Sequence, residues 1–275
     1  MSLCKSNKDV SLDVKNFMLN VSDVKEESIT DYLVWKWREL DARFKYINIT
    51  TFTRHMESTT TGADFELELW LVGQKFHFPL IFQAKKFTKK YDSYVKKLNY
   101  PKGTQAQLKK LLSYSKKHKK IPFYAFYSIP DKDTKLMCPR NETSSTSIFM
   151  ADAYTVKDYA DGKHSKHGKN LSLNEILKRT NPFHCIFCCP HSRSGDYFTH
   201  YFSKLAESNE PHKNEDLPDY VKLLLNDQIN KTGEKEILKL IDRNELKVFR
   251  SIGVYDISDI ENDTDNKPRH LHRHD

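Results

Sequence analysis

Three side chains, Asp64, Gln83 and Lys85, have the types needed to hydrolyse a phosphodiester. That reaction calls for a divalent cation to polarise the phosphate and generate hydroxide, oxygen ligands to hold the cation, and a positive group beside the developing charge. A carboxylate, an amide oxygen and an ammonium supply one of each. Glu66 and Glu68 follow Asp64 at alternate positions. Either could join a second cation, or could simply face solvent or the lysines of a neighbouring helix.

Two strands must bring these groups together. Residues 63–72 alternate strictly, with Phe65, Leu67, Leu69 and Leu71 on one face and Asp64, Glu66, Glu68 and Trp70 on the other. Residues 76–85 do the same, Phe76, Phe78, Leu80, Phe82 and Ala84 opposing His77, Pro79, Ile81, Gln83 and Lys85. A hairpin that pairs Leu71 with Phe76 sets Phe65 against Phe82, Leu67 against Leu80 and Leu69 against Phe78. Asp64 then lies opposite Gln83, with Lys85 two positions along on the same side.

The flanking pattern predicts the rest of an α/β unit. Ile29, Leu33, Trp37, Leu40 and Phe44 mark one face of a helix over 26–44, with Glu26 and Glu27 suited to the positive end of its dipole. A strand is expected at 45–53, a helix from Thr104 to about His118 with Leu108, Leu111, Leu112 and Ser115 facing inward, and a strand over 123–128. The order is helix, three-strand meander, helix, strand. We read 1–25 as a lead-in without sustained period, 26–130 as the core, 131–257 as a C-terminal α+β extension and 258–275 as a disordered tail. Within the extension, helices are expected at about 217–230 and 233–245 and a strand at about 246–257.

Of 275 residues with net charge +8, positions 85–120 hold thirteen lysines against the single acid Asp92, with five aromatic residues interleaved. A block of one sign suits a polyanion, because lysines neutralise phosphates and aromatic faces accept bases. Lys86, Lys89, Lys90, Lys109 and Lys110 are the candidate nucleic-acid contacts. Five cysteines without a disulfide pattern suggest a reducing compartment. The absence of a leader-like start or an apolar run of about 18 residues suggests a soluble, cytoplasmic protein.

Gly62-Ala63-Asp64, a hairpin and then Gln83-Ala84-Lys85 resemble the active-site signature of the PD-(D/E)XK, restriction-endonuclease-like superfamily, in its Mrr-like Gln-x-Lys variant. Residues 27–31, Gln107-Leu108, residues 123–127, Ala151 and the segment 185–189 are also similar to an uncharacterised bacterial family of predicted nucleases. The resemblance implies a Mg2+- or Mn2+-dependent endonuclease acting on DNA, with a role in defence against foreign DNA. It implies metal ligands at Asp64 and Gln83, a supporting ligand or acid/base role for Glu27, the catalytic lysine at Lys85 and a positioning role for Gln107, with Gln105 as its competitor. RNA and a homodimer stay open. The alternative is a catalytically silent nucleic-acid-binding module on the same fold, motivated by glutamine where most relatives carry an acid.

Cys185 and Cys188, flanked by His184 and His191, have the Cys-x-x-Cys spacing of a zinc site. No second such pair completes a tetrahedron, so buried, reduced cysteines are the stronger expectation. Phosphate-binding Gly-rich loops, nucleophile elbows and His-Glu-x-x-His helices are absent from the sequence.

Overall fold

The computed structural model describes residues 3–21, 23–44, 47–51, 65–73, 77–87, 105–130, 134–136, 146–161, 163, 173–185, 217–226, 228 and 232–256. Among these, the helices are α1 (Leu3–Asn20), α2 (Glu26–Phe44), α3 (Gln105–His118), α4 (Ala153–Ala160), α5 (Leu173–Leu177), α6 (Asp219–Leu225) and α7 (Glu234–Arg243). The strands are β1 (Ile47–Thr51), β2 (Phe65–Val72), β3 (His77–Lys86), β4 (Ile121–Tyr127), β5 (Ile148–Asp152), β6 (Asn181–Pro182) and β7 (Phe249–Asp256). No helix among the described residues is long and apolar enough to cross a membrane.

All seven strands form one mixed sheet in the order β1-β7-β2-β3-β4-β5-β6. Leu67, Leu69, Leu71, Phe78, Leu80, Phe82, Phe123 and Tyr255 bury one face together with Val10 and Val14 of α1 and Ile29, Leu33 and Trp37 of α2. Trp70, Val72, Ile81, Tyr124, Phe126, Ile252 and Val254 bury the other with Leu108 and Leu111 of α3, Val156 of α4 and Tyr220 of α6. The result is an α/β sandwich with helices on both sides of the sheet.

Four features differ from the sequence expectation. The first three strands are no meander, because β7 enters between β1 and β2, antiparallel to one and parallel to the other. Alternation specifies which face of a strand is buried but not which distant strand fills its open edge. The hairpin register is displaced by two, with Leu67 opposite Phe82, Leu69 opposite Leu80 and Leu71 opposite Phe78. Val72 and His77 extend the ladder, while Phe76 lies outside the described residues; a slip of two keeps every side chain on its face. Pro79 still costs little, since pairing with β4 begins only at Leu80.

Phe65 also breaks the expected alternation. It packs with Trp70 and Val72, its ring centroid 5.7 Å from that of Phe249. The fourth difference is the lead-in, most of which is helix α1. Its inner stripe includes the buried polar residues Ser6, Asn7 and Ser11, which hide the apolar period; Asn7 Nδ2 donates to Tyr255 Oη at 3.0 Å. The expected 258–275 tail lies outside the described residues.

Glu68 is fully buried in the middle of β2, where its carboxylate pairs with the Lys120 ammonium and accepts from Tyr220 Oη at 3.0 and 3.2 Å. Lys120 reaches it through a Schellman turn: Lys119 adopts φ 51, Lys120 N donates to Ser115 O at 2.9 Å, and the chain folds inward. The rings of Trp70, Tyr114 and Phe249 surround the ammonium at 5.8, 5.8 and 5.2 Å. Removing one partner strands the other charge in a dry site. Lys120→Met and Glu68→Met should each cost about 3–5 kcal/mol in urea unfolding, while the double variant should recover most of that loss. Single variants within about 0.5 kcal/mol of the parent would show that the pair is not what holds this region.

Candidate functional site

At the C-terminal end of β3, side chains from α2, β2, β4 and β7 converge. Gln83 is 3 % exposed. Its Nε2 donates to Ala84 O at 3.2 Å, whereas Oε1 has no hydrogen-bond partner among the described residues. The last paired positions of the hairpin are Leu67 and Phe82; Glu66 precedes the first by one residue and Gln83 follows the second by one. Glu66 Oε2 is likewise buried without a hydrogen-bond partner among the described residues. Each is an acceptor oxygen held away from water with no donor among the described residues, which is costly unless something else satisfies it.

Charge around Glu66 is divided. Burial pushes its carboxyl up to about 7, with Arg250 and Lys85 drawing it down and Glu26 and Glu27 driving it up. Glu26 is also raised, by burial first and by Glu27. It is nonetheless well connected: Oε1 lies 3.5 Å from Lys85 Nζ, and Oε2 accepts from Lys86 N at 2.7 Å. Tyr127 Oη sits 3.0 Å from Thr30 Oγ1, which locks α2 to β4 one turn beyond Glu26. Arg250 Nη2 holds Asp31 Oδ2 at 2.8 Å and locks α2 to β7.

The expected residues fare differently. Gln83 and Lys85 are brought together at this end of the sheet. Asp64 lies outside the described residues, as do Lys89, Lys90 and Cys188. Glu27 is exposed and acts on Glu66 and Glu26 through its charge, while Glu26 makes the contacts. Gln107, partly buried in the first turn of α3, is joined to the group by no hydrogen bond among the described residues. Gln105 opens the same helix. Lys109 and Lys110 are exposed on α3, but Lys86 is committed inward, its ammonium bonding Val24 O. Glu68 belongs to the buried pair with Lys120 and not to this group. Cys185 is buried.

Sequence reasoning passed over Glu26 and Arg250. A signal existed for the first: Glu26 shares the inward stripe of Thr30, Leu33 and Trp37 at intervals of four, three and four, whereas Glu27 falls outside it. No local signal exists for Arg250, whose place depends on the insertion of β7. Among the described residues no group of three or more histidine, cysteine or carboxylate residues forms a ready metal cage.

A family model described as a family of unknown function (DUF6615) matches residues 3–254. No curated protein and no solved structure matches the chain.

The raised carboxyl at Glu66 fixes a pH dependence. Its folded-state value near 7 lies above the ordinary 4.5, so the folded form binds the proton more tightly. Stability from this group is therefore complete below about pH 4.5 and is lost as pH rises through 7. Chemical unfolding with chelator present should show the parent losing about 3 kcal/mol relative to Glu66→Gln between pH 5 and pH 8. A parent-minus-variant difference that is flat across that interval would contradict the environment described for Glu66.

Proposed function

Since the chain belongs to DUF6615, a family of unknown function, its chemistry has to be argued from the site, and we propose that it is a Mg2+- or Mn2+-dependent nuclease that hydrolyses DNA. One observation carries the proposal: Gln83 Oε1 and Glu66 Oε2 are two buried acceptors without hydrogen-bond donors among the described residues, and the charges of Lys85 and Glu26 act on Glu66. Hard divalent cations take such oxygen ligands, amide oxygen included. The succession α2, β2, β3, α3, β4 supports a restriction-endonuclease-like core, with β7 as an addition of this chain.

Asp64, Gln83 and Glu66 would hold the ion, which supplies Lewis-acid polarisation of the phosphate and a more acidic water. Lys85 stands two residues from Gln83 on the same strand, and its ammonium would offset charge gathering on the phosphate oxygens. Glu26 draws that ammonium toward the first turn of α2, 3.5 Å away, and so sets its position. Glu66 would release its proton on taking up a cation, and its carboxylate then serves as an anionic ligand. Thr30 with Tyr127, and Asp31 with Arg250, hold α2 against the sheet so that Glu26 keeps its reach.

A second reading has its own support: with an amide at position 83 and Lys85 engaged by Glu26, the chain would bind nucleic acid without cutting it. Supercoiled plasmid incubated with the full chain and Mg2+ separates the two. The parent should nick or linearise the plasmid, and Asp64→Ala, Lys85→Ala and Glu66→Gln should each slow it by about a hundredfold or more. Glu26→Gln should cost more than Glu27→Gln, and Gln83→Glu should retain cleavage. Binding by every protein with cleavage by none, the parent included, would establish the silent module and end the enzyme reading.

A further inference from the structure

The lysines of the 85–120 block divide sharply in the fold. Lys86 is bonded to Val24 O and Lys120 to Glu68. On α3, by contrast, Lys109, Lys110, Lys116 and Lys117 are exposed, and the helix contains no acid. They form two pairs spaced seven apart, 109 with 116 and 110 with 117. Seven residues are two turns, so each pair lies on one stripe and its members stand about 10.5 Å apart along the axis. That distance is close to three steps of about 3.4 Å along a nucleic-acid duplex.

The direction of the helix matters as much as its charge. β3 and β4 are parallel neighbours, so α3 returns antiparallel to them, and its first turn lies at the end of β3 that carries Gln83 and Lys85. At its far end Glu245, held at φ 54 between α7 and β7, binds Lys117 Nζ with both oxygens at 3.0 Å. Both partners are more than half exposed. An exposed pair of this kind is weak enough for a phosphate to displace.

From this geometry we infer that the outer face of α3 is a track for a phosphodiester backbone, running away from the site through Lys109, Lys110, Lys116 and Lys117, with Glu245 as a competing anion at its far end. The inference rests on the nucleic-acid reading above but not on cleavage. The partner is the backbone itself, so DNA and RNA are both arms of the test, and oligoglutamate represents an acidic polypeptide.

Fluorescence anisotropy with labelled DNA and RNA duplexes, using the full chain in chelator, measures affinity against salt. Lys109→Ala with Lys116→Ala should lower the slope of log affinity on log salt by about two phosphates' worth, close to one per lysine. Glu245→Gln should tighten binding about two- to fivefold at low salt. Lys235→Ala, an exposed lysine on α7, should do neither. An unchanged slope in the α3 variant, an equal effect from Lys235→Ala, unchanged affinity in Glu245→Gln, or full competition by oligoglutamate would each overturn the track. A protein that binds through α3 but never cuts plasmid defeats only the nuclease reading. Cleavage with an unaltered slope defeats only the track.

Discussion

Strand β2 is hydrogen-bonded along both edges and covered on both faces, and this confinement governs everything around it. A carboxylate on such a strand loses its water and must find compensation within the protein. Glu68 finds it in Lys120 and Tyr220 and becomes part of the fold. Glu66, two residues earlier, is met by two cations and two further carboxylates, and its carboxyl is raised to about 7. Residue type and strand are the same. What differs is whether the surroundings supply enough positive charge to offset the burial that both carboxylates share.

Much of the fold was legible because periodicity reports burial. The alternation of β2 and β3 and the stripes of α2 and α3 follow from which side chains meet the core, and the elements appear within a few residues of their expected places. Partnership was not legible. β7 has an ordinary strand pattern, and nothing within residues 246–257 says that it lies beside β2. The hairpin register was off by two because the faces are unaffected by such a slip, so the apolar pattern cannot distinguish the two pairings. α1 was missed for another reason: three of its inward residues are polar, and a stripe defined by apolar residues passes over them.

The same division applies to the site. Gln83 and Lys85 were readable because they share one strand at a spacing that fixes a common side. Choosing Glu27 over Glu26 followed the resemblance instead of the helix, although the inward stripe of α2 already favoured Glu26. Arg250 required knowledge of a contact spanning the chain, from β7 to Asp31 on α2. Local placement was therefore visible and its long-range supports were not.

Those supports bear on how the two ends of the chain cooperate. α2 carries Glu26 at its first turn, and besides the contacts of Glu26 with β3, two bonds hold that stretch to the sheet: Thr30 to β4 and Asp31 to β7. The second comes from β7, the last strand of the chain's described residues. The site is thus completed by residues more than two hundred positions from the hairpin's partner helix, although its signature spans little more than twenty. An isolated 26–130 segment would retain the residues of the signature but lose the second edge of β2, the Arg250 charge beside Glu66 and one of the two bonds that set the reach of Glu26. The sequence places these residues on one hairpin, and the whole sheet determines whether their charges can coexist.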